Sequence, residues 1–261
     1  MKAKKNLGQN WLIDETVIND IIENCDLNED SLVIEIGPGQ GILTKALLKT
    51  GAKVITIEKD RDLHEILQTE FASYEEKFEL IAADVRDLDL EELAGGEPYQ
   101  VIANIPYYIT GLIIRLFLTT KTQPTAMTLL VQREVADRIT SVDNKESVLS
   151  LSVKAYGTPI KLRNVKAGAF RPIPSVDSAV IQITNINRDY FNNNDLDETR
   201  FFGVIKQAFN QKRKTIRSTL GSEPYRIDFN SQEDLKTLSN RRPETINLSE
   251  WMFLIKNLTD N

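Results

Sequence analysis

A single cysteine and a single histidine in 261 residues remove whole classes of chemistry. Cys25 has no partner for a disulfide and no companions for a cysteine-rich zinc site. It stands in IIENCDL, where it reads as a half-buried helix residue rather than a nucleophile. His64, set among charges in RDLHEIL, reads as a helix-surface residue. That leaves no imidazole for a histidine-based triad or a multi-histidine metal centre, and no metal is expected. Long apolar runs are missing as well. None approaches the roughly 18 residues of a membrane-spanning helix, and MKAKKNLGQNWLID at the start has no apolar signal core. The expected compartment is therefore a reducing one, the cytoplasm, with no membrane partner.

Net positive charge is also lacking. A formal charge of −6 argues at first against a nucleic-acid partner, but distribution matters more than sum. Residues 1–13, 154–171 and 200–217 hold 3, 5 and 6 Lys or Arg and not one Asp or Glu. Those 49 residues carry +14, and the other 212, with 18 basic against 38 acidic groups, carry −20. One charge run is usually a solvated face; three acid-free segments together point to a polyanion-binding surface.

With 41% hydrophobic residues, the chain has enough apolar content for one substantial core and a small second domain. Strand and helix signals alternate: SLVIEIG (31–37), KVITIEKD (53–60), FELIAADV (78–85), YQVIANIP and AMTLLVQ read as strands, with helical spacing between them. LSLSVKAYG and SAVIQITNI read as two late strands without a long helix between them. The expected fold class is α/β, a mostly parallel sheet closing on an antiparallel pair. At INRDYFNNNDLDETR (186–200) asparagine and acid replace the apolar pattern, which predicts a linker. FFGVIKQAF, DLKTLSN and LSEWMFLIKNL beyond it have helical spacing. Two domains are expected, 1–190 and a helical 191–261.

The chemistry begins where the first of these strands turns into a helix, at EIGPGQG. Gly37, Gly39 and Gly41 let backbone approach a ligand while helix amides point into the same space. Glu58, 21 residues after Gly37 at the end of the next strand, is placed to accept both hydroxyls of a ribose. Asp84 ends the third strand in the same register. Glycine backbone, acid and acid along one sheet edge predict a nucleoside cofactor, with its identity open on this pattern alone.

The fourth strand ends in VIANIPYYIT. A residue before proline is pushed into an extended conformation, so Ile105 holds its carbonyl in a defined direction, and Pro106 brings no competing N–H. The rim then offers two acceptors, the Asn104 side-chain oxygen and the Ile105 carbonyl. An exocyclic base amine is a poor nucleophile because its lone pair is delocalised into the ring. Two acceptors on its hydrogens favour the tetrahedral, attack-ready nitrogen. Tyr107 supplies a stacking face for an extruded base. The alternative is structural, with Asn104 capping the next helix and Tyr107 and Tyr108 filling core.

The pattern E-x-G-x-G-x-G, with Glu35 first, resembles motif I of the class I S-adenosylmethionine-dependent methyltransferases, and NIPY resembles the signature of amino-group methyltransferases. KNLGQNWL (5–12), EIGPGQG, NIPYYIT, AFRPIPSVDSAV (169–180) and FNQKRKTIRSTL (209–220) together resemble their counterparts in the small-subunit ribosomal RNA adenine dimethyltransferases, the RsmA or KsgA family. Trp11 stands where that family usually has phenylalanine. The resemblance implies a Rossmann-like class I methyltransferase sheet. It implies S-adenosyl-L-methionine as cofactor, contacted by Asn10, Leu12, Gly37, Glu58, Asp84 and Asn104, with Glu35, Gly39 and Gly41 completing the motif. It implies that Asn104 and Tyr107 position the adenine while Phe170 stacks from the other side. The implied reaction is N6-dimethylation of two adjacent adenosines near the 3′ end of small-subunit (16S) ribosomal RNA, within a pre-ribosomal small subunit. Lys4, Lys5, Arg171, Lys212, Arg213, Lys214 and Arg217 are the basic residues expected to meet that RNA.

Three other readings compete. The large-subunit ribosomal RNA methyltransferases of macrolide resistance share the catalytic motifs, and QKRKTIRSTL favours the small-subunit enzymes over them. A nicotinamide oxidoreductase shares only the sheet and lacks its expected glycine spacing. A non-catalytic ribosome-assembly factor would not need the intact Asn104, Pro106 and Tyr107.

Overall fold

The computed structural model describes residues 4, 8–74, 76–211 and 213–259. Among these residues nine strands run in chain order as β1 (Trp11–Leu12), β2 (Leu32–Ile36), β3 (Lys53–Glu58), β4 (Phe78–Ala82), β5 (Tyr99–Asn104), β6 (Ala126–Gln132), β7 (Thr158–Val165), β8 (Phe170–Arg171) and β9 (Ser178–Thr184). Seven of them form one sheet in the order β4-β3-β2-β5-β6-β9-β7, and β1 pairs antiparallel with β8. Strands β2 to β6 pair in parallel, and β9 runs antiparallel to β6, as the apolar runs predict. β2 is buried along its whole length, the pattern of a strand covered on both faces.

This order positions the site. From β2 the chain moves outward to β3 and β4, then returns to place β5 on the other side of β2. The crevice where strand order reverses lies at the carboxyl ends of β2 and β5, the place where open α/β sheets bind ligands. Gly37, Glu58, Asp84 and Asn104 follow or close the four strands there.

The chain folds into two compact units, residues 1–136 with 159–186, and 137–158 with 187–261. It thus passes between units three times. LSLSVKAYG, expected as a strand, is helix over Val148–Lys154. Its alternating leucines and serines fit a strand period, but Ser147 caps it in a capping box with Ser150, and the buried Ser150 hydroxyl is satisfied by Glu146 at 2.7 Å. The late strand lies instead in β7.

The segment 186–200 is not a plain linker either. A short helix, Asp189–Asn192, places Tyr190 and Phe191 in an aromatic cluster with Tyr156, Phe201 and Phe202, at ring separations of 5.1 to 6.1 Å. Two aromatics among the asparagines decide its burial, which average composition hides. The C-terminal helices fall where spacing puts them, at Glu198–Phe209, Glu233–Ser239 and Leu248–Lys256. Among the described residues no helix is long and apolar enough to cross a membrane.

Candidate functional site

Asn10, Gly37, Gly39, Glu58, Asp84, Asn104, Ile105, Pro106 and Tyr107 line one cleft. Four strand ends and an N-terminal segment converge to make it. That segment is anchored from two sides. Through β1 it pairs with β8, Leu12 opposite Phe170, and Ile13 N–H donates to the Ala169 carbonyl at 2.9 Å. Ahead of β1, Lys4 Nζ and Gln9 Nε2 donate to Asp60 at 2.6 and 2.9 Å. Burial alone would raise the Asp60 carboxyl, but these donors outweigh it and hold the group below its ordinary value.

The glycine turn has positive φ at all three glycines, a region L side chains seldom adopt. Each glycine has a different use. A Cβ on Gly37 would meet nothing nearer than Pro106 Cδ at 4.0 Å, so the missing side chain opens the cleft. On Gly39 it would stand 2.7 Å from Trp11 Cδ1. On Gly41 it would stand 2.7 Å from Phe71 Cε2, and Gly41 lies away from the cleft, so this third glycine serves packing.

The acids divide in the same way. Glu58 is nearly buried. Its Oε1 accepts from Asp60 N–H at 2.7 Å and its carboxylate also accepts from the Gly39 amide, which ties β3 to the glycine turn. Desolvation outweighs those hydrogen bonds and raises its pKa. Asp84 is held well below the usual carboxylate range, chiefly by Arg86, whose Nε and Nη2 donate at 2.8 and 2.5 Å, and by Lys59 at 3.0 Å. Glu35 does not face the cleft. It is 1% exposed and accepts from Thr44 Oγ1 at 2.6 Å. Burial pushes it up to about 8, against the Thr44 hydrogen bond and with help from Glu58. With Leu12, Gly37, Gly39 and Asn104 it borders a smaller neighbouring cavity.

At the β5 end, Asn104 Nδ2 donates to the Asn10 carbonyl at 3.0 Å. That bond fixes the amide and leaves Oδ1 as the acceptor, which takes no hydrogen bond among the described residues. The Ile105 side chain is buried, and its carbonyl likewise accepts none. Tyr107 begins a one-turn helix, and its hydroxyl lies 2.7 Å from Ser178 Oγ, a hydrogen bond that anchors the end of the ring.

Phe170 departs from expectation. Its ring is 0% exposed and belongs to the apolar core with Leu12, Ile102 and Val180. Pairing of β8 with β1 turns it inward, so it presents no face to a substrate in this conformation. His64 is not a plain surface residue: it is half-buried, and its Nε2 lies 2.9 Å from the Glu58 carbonyl, to which it donates. Cys25 is fully buried, which pushes its thiol up to about 11.

The basic residues are dispersed. Lys4 is ion-paired with Asp60 and Asp62, each at 2.6 Å. Arg171 donates to the Gly168 and Phe170 carbonyls. Lys5 and Lys212 lie outside the described residues. Arg213 and Lys214 are exposed in the turn between the helices Glu198–Phe209 and Ile216–Thr219, rather than on one continuous helix. Arg217 lies over the Phe229 ring at 5.6 Å and donates to Ser239 Oγ.

Sequence reasoning overlooked Gln9, Lys59, Asp60, Arg86 and Ser178. Ser178 stood in the motif AFRPIPSVDSAV, whereas Lys59, Asp60 and Arg86 carried only their position after a strand end as a signal.

A family model described as ribosomal RNA adenine dimethylase matches residues 1–252. A protein from Dehalococcoides mccartyi named ribosomal RNA small subunit methyltransferase A is 37% identical over 257 residues, covering 96% of this chain and 87% of its own. Proteins of the same name from Clostridium botulinum and Mycoplasma capricolum subsp. capricolum are each 39% identical, over 96% and 97% of this chain and 92% and 97% of theirs. Among solved structures, a dimethyladenosine transferase from Plasmodium falciparum superposes with a TM-score of 0.78 at 22% identity, covering 93% of this chain and 95% of that one. The 23S rRNA methyltransferase ErmE superposes at 0.76 and 23% identity, covering 95% and 99%. At those identities the two structures speak to the fold alone.

Proposed function

The chain belongs to the ribosomal RNA adenine dimethylase family, and from that premise we propose that it dimethylates N6 of adenosine in small-subunit ribosomal RNA with S-adenosylmethionine as methyl donor. One observation carries the chemistry: the Asn104 amide is held through its nitrogen by the Asn10 carbonyl, and its oxygen is left as an acceptor beside the Ile105 carbonyl.

The cleft suits the donor. Gly37 leaves an open cradle, Glu58 lines it with a carboxylate whose lone pairs exceed the two amide bonds it accepts from Asp60 and Gly39, and Asp84 is held ionised. Asn10, Gly37, Glu58, Asp84 and Asn104 are the residues that would hold it. S-adenosylmethionine, when bound, supplies an electrophilic methyl group on a sulfonium.

The protein's share is positioning and electrostatics. Asn104 Oδ1 and the Ile105 carbonyl accept the two amine hydrogens of the adenine, which localises the nitrogen lone pair and offsets the positive charge that develops on it. The bound donor would supply the methyl carbon for the new bond to that nitrogen, and the electron pair of its carbon–sulfur bond would leave with sulfur. The methylated nitrogen then releases a proton to water, and no side-chain base is required. Tyr107, braced by Ser178, supplies the stacking face for a base taken out of its RNA stack.

The finer target is two adjacent adenosines near the 3′ end, each methylated twice, within a pre-ribosomal small subunit; the family resemblance supports this. Curated relatives at 37 to 39% identity carry the small-subunit name, which favours that target over the large subunit. The retained Asn104 rim favours catalysis over assembly binding alone. The deciding experiment supplies labelled S-adenosylmethionine with unmethylated small subunits and, in parallel, with large subunits, then identifies the modified base. N6,N6-dimethyladenosine in small-subunit RNA is expected. Label in large-subunit RNA, or none at all, would overturn the assignment.

A further inference from the structure

Two buried polar side-chain atoms among the described residues have no hydrogen-bond partner, the indole Nε1 atoms of Trp11 and Trp251. Their surroundings differ. Trp251 is 0% exposed in the core of the helical unit, beside the Phe209 ring at 6.1 Å. Trp11 lines the cleft, and it also borders the smaller cavity next to Glu35, Gly39 and Asn104. A buried N–H without an acceptor is costly, and at the wall of a ligand cleft its natural partner is an acceptor on the ligand.

We propose that the Trp11 indole N–H is a cofactor-binding donor, and that its partner is the carboxylate at the amino-acid end of S-adenosylmethionine. The inference rests on the cofactor reading above and assigns a further residue to it. Several observations select the carboxylate. The indole edge lies against the glycine turn: a Cβ on Gly39 would come within 3.2 Å of Nε1 itself. The helix Ile42–Lys49 starts at that turn with Gly41 as N-cap and no side-chain acceptor on its first amides, so the helix end favours negative charge. Gln40, Ile42 and Leu43 from that start border the same smaller cavity as Trp11. Finally, the nucleoside end is matched to Glu58, which closes β3, and Asp84, just beyond β4, and the amino-acid end carries the cofactor's carboxylate. Glu35, the one acid bordering that cavity among the described residues, is protonated below a pH of about 8 and opposes no anion there at neutral pH.

The test compares two ligands on the full chain. S-adenosylhomocysteine keeps the amino-acid end, and 5′-methylthioadenosine lacks it. The chain has two tryptophans, hence two indole N–H resonances, and Trp11→Phe assigns them by deletion. S-adenosylhomocysteine is expected to move the Trp11 resonance downfield and leave that of Trp251 in place, while 5′-methylthioadenosine leaves both. By calorimetry, Trp11→Phe should weaken S-adenosylhomocysteine about tenfold or more and leave 5′-methylthioadenosine within about twofold. Equal weakening of both ligands would mean that Trp11 only packs the cleft, and unchanged affinity with an unmoved resonance would remove the donor; either result overturns the proposal. If the unsubstituted chain binds neither ligand, the cofactor reading itself falls, and this inference with it. Should Trp11→Phe fail to fold, the resonance shifts in the unsubstituted chain decide.

Discussion

Asn104 is held by one half of its amide and offers the other. The Asn10 carbonyl takes the nitrogen at 3.0 Å, so the oxygen needs no reorganisation to meet an amine. Removing a preorganised partner of this kind costs catalysis rather than binding. Asn104→Ala should therefore lower kcat by about a hundredfold or more, with RNA affinity in a titration barely changed. Near-normal turnover would sink the acceptor role. Glu35 works in the opposite sense, through its proton. Burial raises its pKa from 4.5 to about 8, so the folded chain holds the proton more tightly than the unfolded one. The stability this contributes is complete below pH 4.5 and is lost as pH rises through about 8. Glu35→Gln keeps an acceptor for Thr44 and removes the titration. Between about pH 6 and 9 the melting temperature should fall further for the parent chain than for the variant. Parallel curves would clear Glu35 of that role.

Single elements were decided by short-range devices that periodicity does not register. The helix Val148–Lys154 carries a strand-like alternation, yet Ser147 accepts from Ser150 N–H at 3.0 Å and Ser150 Oγ accepts from Ser147 N–H at 2.7 Å. Ser147→Ala removes one half of this box. It should cost about 1 kcal/mol, read as a lower denaturation midpoint with an unchanged slope. No change in midpoint would place the origin of that helix in packing alone. The glycine turn shows the same economy, since its three positions open a cleft, admit an indole edge and admit Phe71, in that order along the chain.

Across the whole molecule, charge segregation in sequence is partly undone by folding. Lys154 meets Glu146 at 2.6 Å, Arg163 meets Asp20, Lys166 meets Asp177 at 3.1 Å, and Lys4 meets Asp60 and Asp62. The acid-free segment 154–171 is thus answered by acids from other parts of the chain. Arg213 and Lys214 have no ion pair among the described residues and are exposed. They are the stronger candidates for phosphate contact. Changing both to Gln should lower the slope of log affinity against log salt by about 1.4 to 1.8, at roughly 0.7 to 0.9 for each lost contact, while S-adenosylhomocysteine affinity stays put. An unaltered slope would move the RNA surface away from this turn.

The parallel sheet, its antiparallel closing strand and the row of Gly37, Glu58, Asp84 and Asn104 were legible from residue order. Each rests on local rules: apolar runs end at defined residues, and parallel pairing sets those ends along one edge. The helical C-terminal segments were legible for the same reason. Long-range pairing was not. Nothing local says that β1 will join β8, which turns Phe170 inward and lays residues 8–11 along the cleft. Nor does local order reveal that Glu35 faces Thr44, that Asp60 gathers Lys4 and Gln9, or that residues 137–158 pack with the C-terminal helices. Side-chain period and capping are properties of a few consecutive residues, whereas burial and ion pairing depend on which distant residue arrives opposite, and only the packed chain supplies that neighbour.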